Sequence, residues 1–187
     1  MRIIGGQFRG LHLAAIGQGD LAAHLRPTTD RVRESIFNLL INGGYGTPVA
    51  GARVLDLFAG TGALGLEALS RGAAHATFVD DGAKAQSLLR QNIDLTRTTH
   101  STVVLRRDAT KLPENRSPPF TLIFLDPPYA KSLGETAIAS ALRSNWLAPG
   151  ALVMWEESTP PQPPAGLVQL DQRLYGDTIV TILRAPE

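Results

Sequence analysis

The chain has 187 residues, 43% of them hydrophobic and 19% charged, a balance typical of one globular domain with a full-sized core. It contains no cysteine, which excludes disulfides, thiolate metal sites and cysteine nucleophiles. Its 18 basic and 17 acidic residues leave a net charge of +1, too small to identify a nucleic-acid-binding protein by itself. No apolar run reaches the roughly 18 residues of a membrane span, and the N-terminus lacks a secretory signal pattern, so we expect a cytoplasmic protein.

Residues 1–44 are predicted to form an arm followed by a single helix. Residues 1–25 are rich in glycine and show no periodic pattern. Further along, apolar residues recur at the spacing of one helix face, and Gly43-Gly44 ends the pattern. This stripe consists of Val32, Ile36, Leu39 and Leu40. We expect the segment to extend the main domain, residues 45–187, and the arm to be removable without affecting ligand binding by that domain.

The basic residues of this segment are all arginines. Within residues 1–40, five arginines and three acidic residues leave a local charge of +2. A planar guanidinium suits bidentate contact with phosphate better than a lysine does. A solvated helix face would explain the pattern equally well. The candidates for contact with a phosphate backbone are Arg9, Arg26, Arg31 and Arg33.

From residue 53 onward, short apolar runs alternate with helical patterns. Such alternation predicts a parallel sheet with right-handed crossover connections. The predicted strands are 53–58, 76–79, 102–105, 121–125 and 151–155. The predicted helices are 62–69, 84–93 and 137–142.

The C-terminal part departs from this alternation. Residues 167–174 and 178–183 are both strand-like and are separated by Tyr175-Gly176-Asp177, which predicts a hairpin whose last strand runs antiparallel to its neighbour. The sheet would then have seven strands. The proline-rich stretch 159–164 is predicted to be a stiff spacer, with a polyproline ligand for another domain as the alternative.

A glycine-rich loop follows the first predicted strand. Gly60, Gly62 and Gly65 satisfy the spacing G-x-G-x-x-G, and such glycines let the backbone turn sharply and approach a ligand at a helix N-terminus. Asp80 ends the second strand, where a carboxylate can bind two ribose hydroxyls. Asp81 is the alternative for that role. The pattern predicts a nucleoside-bearing cofactor but does not identify it.

Asp56 favours one cofactor over another. A carboxylate inside an apolar strand is costly unless it has partners, and it would repel a pyrophosphate while attracting a cationic ammonium and sulfonium. This favours S-adenosylmethionine over NAD, although a carboxylate that only caps the glycine loop is the alternative. Asp108 and Ala109 follow the third strand, where they would meet the adenine; a turn residue is the ordinary explanation for a lone Asp108.

The most specific motif is Asp126-Pro127-Pro128-Tyr129, which follows an apolar strand. Open α/β sheets bind ligands at this end of a strand. The prolines have no N–H, so the Asp126 side chain and a proline carbonyl can together accept two hydrogens from an exocyclic amine, while Tyr129 stacks on its ring. The alternative is a loop-capping aspartate followed by structural prolines.

These residues resemble a known family. Asp56-x-Phe58-Ala59-Gly60-Thr61-Gly62 together with Asp126-Pro-Pro-Tyr129 looks like the class I S-adenosylmethionine-dependent amino-methyltransferases. Further segments narrow the resemblance to the RsmD family, namely 2–6, 26–34, 37–38, 65–72 and 175–178. It extends from Met1 to about Leu183. It implies a seven-stranded methyltransferase fold, no metal, and methylation of the N2 amine of one guanine in 16S rRNA, with naked rRNA and the small ribosomal subunit as the alternative substrates.

The resemblance also implies roles for individual residues. The methionine end of the cofactor would contact the first strand and the glycine loop, at Asp56, Phe58, Ala59, Gly60 and Gly62. Asp80 would bind the ribose, and Asp108 and Ala109 the adenine. The target base would be held by Asp126, Pro127, Pro128 and Tyr129.

Three other functions remain open from the sequence. The first is amine methylation of a DNA adenine or a protein glutamine, although those enzymes generally carry Asn at the position of Asp126. An NAD-linked oxidoreductase would leave Asp56 and the proline pair unexplained. The non-enzymatic alternative is an RNA-binding assembly factor that kept the fold and lost the chemistry, and fold alone does not exclude it.

Overall fold

A computed structural model describes residues 1–15, 29–128 and 132–187. Its centre is a seven-stranded sheet in the order β3-β2-β1-β4-β5-β7-β6. The strands are β1 Arg53–Leu57, β2 His75–Asp80, β3 Thr102–Arg106, β4 Phe120–Leu125, β5 Leu147–Glu157, β6 Val168–Tyr175 and β7 Thr178–Arg184. The helices are α1 Asp30–Asn42, α2 Ala63–Ser70, α3 Ala83–Thr96 and α4 Leu133–Arg143, with short 3-10 turns at Thr99–Ser101 and Ala109–Lys111.

The pairing confirms the predicted mostly parallel sheet with an antiparallel C-terminal strand. Strands β1 to β5 pair in parallel, whereas β7 runs antiparallel to both of its neighbours, β5 and β6. The chain moves outward from β1 through β2 to β3 and then returns to place β4 on the other side of β1. The crevice between the ends of β1 and β4 is therefore the topological switch point, where open α/β sheets bind ligands.

Helix α1 is defined by its two ends and by one buried face. The side chain of Thr29 caps it by accepting a hydrogen bond from the Val32 amide at 3.3 Å, and the amide of Gly43 closes it on the Leu39 carbonyl at 2.8 Å. The predicted stop at Gly43 is confirmed. The buried residues are Arg33, Ile36, Phe37 and Leu40, so the core-facing stripe is rotated from the predicted one.

Each face of the sheet carries its own apolar core. The larger core contains residues from α1, α2 and α3, and the other contains residues from α4. Alternation along β1 sends Val54 to the first core and Leu55 and Leu57 to the second, while Asp56 replaces an apolar residue on the first face. Among the helices of the described ranges, none is long and apolar enough to cross a membrane.

The N-terminal arm packs into the larger core. Ile3 and Leu13 are buried there beside residues of α1. The arm folds back on itself, because the amide of Ile3 donates to the Leu11 carbonyl and the amide of Gly10 donates to the Ile3 carbonyl, each at 2.9 Å. Loss of the arm would therefore uncover apolar surface, and residues on both sides of position 44 share one core.

Candidate active site

The two predicted motifs meet at the switch point. In the parallel pair β1 and β4, Leu57 lies opposite Leu125, so Phe58 and Asp126 leave the sheet side by side. The Asp126 amide is 3.5 Å from the Leu57 carbonyl oxygen. The glycine loop and the Asp126 loop therefore begin side by side at the carboxyl edge of the sheet.

The glycine loop has a backbone that other residues would not adopt easily. Gly60 and Gly62 have φ values of 55° and 79°, and a Cβ atom at Gly62 would collide with the Leu89 side chain. Phe58 also lies in the left-handed region, with φ of 61°, where non-glycine residues are uncommon and often functional. The amide of Ala59 donates to the Val79 carbonyl at 3.1 Å, which attaches the loop to β2.

Asp56 is a buried carboxylate at the base of this loop. Its side chain is 1% exposed, and Oδ2 accepts a hydrogen bond from the Gly65 amide at 2.9 Å, in the first turn of α2. Burial raises the pKa of Asp56 to about 8, the Gly65 amide opposes that rise, and the carboxylate of Asp80 adds to it. A cationic group placed beside Asp56 would reverse the effect of burial, because it stabilises the charged carboxylate.

Asp80 connects the glycine loop to the start of α3. Its Oδ2 accepts from the Gly60 amide at 2.9 Å and its Oδ1 accepts from the Gly82 amide at 2.8 Å. Burial raises the pKa of Asp80, the two amides oppose the rise, and Asp81 adds to it. Asp81 is exposed. Each carboxylate oxygen of Asp80 keeps a second lone pair for a ligand hydroxyl.

Asp108 closes its own turn after β3. Its Oδ1 accepts from the amide of Thr110 at 2.9 Å and from the hydroxyl of Thr110 at 2.6 Å. These bonds lower the pKa of Asp108, the Thr110 hydroxyl most of all. Ala109, which belongs to this turn, is buried, and the neighbouring Arg107 amide donates to the Asp80 carbonyl at 3.3 Å. Asp108 is therefore a turn residue, as the ordinary explanation expected. The turn follows β3, the strand that pairs with β2.

The Asp126 loop is described only in part. Asp126 and Pro128 are partly buried and Pro127 is buried. Tyr129 lies outside the described residues, as does Arg26 among the predicted phosphate contacts. Within residues 1–15, 29–128 and 132–187, no three His, Asp or Glu side chains are grouped as they would be around a metal ion.

One predicted phosphate contact has to be withdrawn. Arg9 and Arg31 are exposed, but the Arg33 side chain is completely buried and cannot reach a phosphate backbone. Its Nη2 donates to the Arg2 carbonyl and to Oδ1 of Asp30, the latter at 2.9 Å, and its Nε lies 3.7 Å from Oε2 of Glu67. Arg33 instead forms part of the structure that holds the arm.

Sequence reasoning missed the partner of Arg33. Glu67 is the one charged residue of helix α2 and is fully buried, and its two oxygens accept from the amides of Ile4 and Gly5 at 2.7 and 2.8 Å. Its Oε1 also accepts a hydrogen bond from Nε of Arg71 at 2.7 Å. The signal was present in the sequence, because a lone carboxylate in an apolar helix requires buried partners.

Comparisons with known proteins agree with this architecture. The sequence matches the family described as Conserved hypothetical protein 95 over residues 1–184. It is 41% identical over 157 residues to "Ribosomal RNA small subunit methyltransferase D" of Escherichia coli strain K12, covering 83% of this chain and 74% of that protein. The protein of the same name from Haemophilus influenzae is 37% identical over 160 residues, with coverages of 83% and 78%.

A solved structure shares the fold over the whole chain. "Putative methyltransferase yhhF from Escherichia coli" superimposes with a TM-score of 0.80 at 32% identity, covering 100% of this chain and 98% of that one. The predicted methyltransferase fold is thereby confirmed. The match of residues 1–184 to the family, together with 41% identity to one of its members, shows that the chain belongs to the RsmD family of methyltransferases.

Proposed function

We propose that this protein transfers a methyl group from S-adenosylmethionine to the N2 amine of one guanine in 16S rRNA, the family target guanine 966. The observation that carries the proposal is the juxtaposition of Asp126-Pro127-Pro128 with the glycine loop across the switch point. The first motif is suited to an exocyclic amine, and the second to a nucleoside-bearing cofactor. The names of the curated relatives supply the substrate class, small-subunit rRNA.

The residues around the glycine loop fit the proposed cofactor. Asp56, buried and with a raised pKa, is suited to a cationic methionine group. Phe58, Ala59, Gly60 and Gly62 bring the backbone close to that end of the ligand. Asp80 would bind the ribose in preference to the exposed Asp81, because its carboxylate already faces the loop. The turn of Asp108 and Ala109 would border the adenine.

The chemistry requires little beyond placement. The bound cofactor supplies a methyl group on a sulfonium, which is already activated for transfer. Asp126 and the Pro127 carbonyl would accept the two hydrogens of the guanine amine and orient its nitrogen in line with that methyl group. Tyr129 would stack on the base, with Pro128 shaping the loop, and the base must leave its stack to reach them.

The decisive test is to map the modified base. We expect rRNA from a strain lacking this protein to lack one N2-methylguanine, and the purified protein with S-adenosylmethionine to restore it. The small ribosomal subunit and naked rRNA should be offered in parallel, because the small net charge favours recognition that uses shape or protein contacts as well. Methylation of adenine, of a protein glutamine or of nothing would contradict the proposal.

Cofactor binding should release a proton at Asp56. Because its folded-state pKa is raised to about 8, the carboxyl is mostly protonated in the ligand-free protein at neutral pH, and an adjacent ammonium favours its ionised form. We expect close to one proton to be released at about pH 7 and affinity to rise as pH approaches 8. Calorimetry in buffers of different ionisation enthalpy measures the release.

Two variants make that measurement specific. Asp56→Asn cannot ionise and should release no proton, whereas Asp94→Asn, an exposed position on α3, should behave as the wild type.

The stability of the ligand-free protein should change with pH in the opposite direction to cofactor affinity. Since the native state binds the proton more tightly than the unfolded chain, the ligand-free protein should lose stability as pH rises from about 4 to about 8, and Asp56→Asn should reduce that loss. Equal proton release by Asp56→Asn would contradict the role of Asp56.

The exposed arginines are expected to contact RNA phosphates. Each contact contributes about 0.7–0.9 to the slope of log affinity against log salt concentration, so Arg9→Ala and Arg31→Ala should each lower the slope by that amount. Arg116→Ala is the control, because Arg116 is also exposed but lies in the segment before β4, outside the arm and α1. A fall in affinity with an unchanged slope would show that these arginines do not contact phosphate.

A further inference from the structure

Besides Arg33 of α1, polar side chains from helices α2 and α3 fasten the arm to the domain. Glu67 and Ser70 of α2 bind its first half: Ser70 Oγ donates to the Gly5 carbonyl at 2.6 Å and accepts from the Phe8 amide at 2.9 Å. Asn92 of α3 binds its second half, at Ala14. These bonds from α2 reach only the arm, whereas the Asn92 side chain bonds both to the arm and to the glycine loop.

Asn92 joins the arm to the glycine loop. Its side chain is completely buried, its Oδ1 accepts from the Ala14 amide at 2.7 Å, and its Nδ2 donates to the Ala14 carbonyl at 3.0 Å and to the Thr61 carbonyl at 2.9 Å. Both amide hydrogens are thus used, and the Ala14 amide requires an acceptor, which determines the orientation of the Asn92 amide group. Thr61 lies between Gly60 and Gly62.

The loop also touches the other end of the arm. The Thr61 hydroxyl lies 3.8 Å from the sulfur of Met1, and the Met1 carbonyl accepts from the Leu13 amide at 3.1 Å. Asparagine has a poor helix propensity, so the middle of α3 is an unfavourable position for it unless its side chain has a specific partner. The bonds to Ala14 and Thr61 supply that partner.

We propose that Asn92 is a positioning residue that couples occupancy of the glycine loop to the order of the arm. A ligand that fixes the loop fixes the Thr61 carbonyl, which holds the Asn92 amide and, through it, Ala14. Coupling between two sites is reciprocal, so an ordered arm also favours ligand binding. The arm carries the exposed Arg9, so the cofactor-loaded protein presents this candidate RNA contact in a defined position. The inference rests on the proposed cofactor.

Hydrogen exchange with S-adenosylhomocysteine as the probe tests the coupling. The reporters are the amides of Ile3 and Leu13, whose acceptors lie within the arm and not on Asn92. The reference is the Ala185 amide, which donates to the Ala151 carbonyl beside the β5 and β7 pair, away from the arm and the glycine loop. We expect the probe to slow exchange of the reporters about 5-fold or more relative to the reference in the wild-type protein.

Two substitutions separate coupling from general stabilisation. In Asn92→Ala the probe should still bind, but it should no longer slow exchange of the Ile3 and Leu13 amides more than that of the Ala185 amide. This difference in slowing is the extra effect. Thr96→Val is the matched control, because Thr96 is buried one turn further along α3 and bonds to the Asn92 and Ile93 carbonyls and to Thr98. It should keep the extra effect.

The outcomes distinguish this inference from the proposed function. If the probe binds the wild-type protein but slows the reporters and the reference equally, the coupling is absent; this result does not require any variant to fold. If Asn92→Ala retains the extra protection, Asn92 does not carry the coupling. If the probe does not bind the wild-type protein at all, the proposed cofactor is wrong and the inference falls with it.

Discussion

Replacing Asp126 by alanine is expected to lower the rate of methyl transfer by about 10²–10³-fold, whereas Asp126→Asn retains measurable activity. The lone pair of a guanine N2 amine is delocalised into the ring, so the nitrogen is a poor nucleophile. It does not need to lose a proton before attack, since the ammonium formed on methylation is very acidic. Asp126 should therefore act as an oriented hydrogen-bond acceptor, a role that the amide oxygen of asparagine can partly fill.

Single-turnover kinetics at saturating cofactor measure this effect directly. Asp94→Ala, at an exposed carboxylate on α3, is the matched control and should not change the rate. Tyr129→Phe should have a mild effect, because stacking needs only the ring, while Tyr129→Ala should lose about 1–3 kcal/mol of base stacking. If Asp126→Asn is as inactive as Asp126→Ala and the wild-type rate follows one ionisation of Asp126, the residue is a general base.

The second large effect should appear in stability. We expect Glu67→Gln to lower the free energy of unfolding by about 3–5 kcal/mol, the usual cost of removing one partner of a buried ion pair. Glu67 is the buried counter-charge of Arg33 and Arg71 and the acceptor for the amides of Ile4 and Gly5. A glutamine has one acceptor oxygen and would turn an N–H group toward donors, leaving at least one of them unsatisfied.

Denaturant unfolding with a surface control tests this prediction. Glu34→Gln, on the exposed face of α1, should change the free energy of unfolding by no more than about 0.5 kcal/mol. Replacing both Arg33 and Glu67 by methionine should recover only part of the loss, because the amides of Ile4 and Gly5 would still lack acceptors. An effect of Glu67→Gln as small as that of Glu34→Gln would mean that Glu67 does not hold the arm.

Local patterns in the sequence were sufficient for most of the fold. Apolar runs of strand length, separated by helical stripes, predicted every strand of the sheet, and Tyr175-Gly176-Asp177 predicted the C-terminal hairpin. These signals depend on neighbouring residues, because strand and helix periods and turn chemistry act over a few positions. Boundaries were less accurate. Strand β5 begins at Leu147, before the predicted residue 151, since Phe120 pairs with Leu147 ahead of a shift in register.

The motifs also predicted a candidate site at the carboxyl edge of the sheet. The glycine loop and Asp126 each follow a strand, and the carboxyl ends of parallel strands meet at one edge of the sheet. The sequence could not indicate how the loop is held. The bonds from Asp80 to Gly60 and from Asn92 to Thr61 join residues that are distant in sequence, and a side chain at either position could equally have faced solvent.

Arg33 shows most clearly what only the tertiary structure decided. It lies on the same buried face of α1 as Ile36, Phe37 and Leu40. From the sequence alone, however, an arginine side chain is expected to be exposed to solvent. Its burial is tolerable because Glu67, on another helix, supplies the opposite charge and Asp30 and the Arg2 carbonyl supply acceptors. The sequence by itself determined the periodic elements and the chemical motifs. Which polar residues turn inward was decided by partners that only the folded chain brings together.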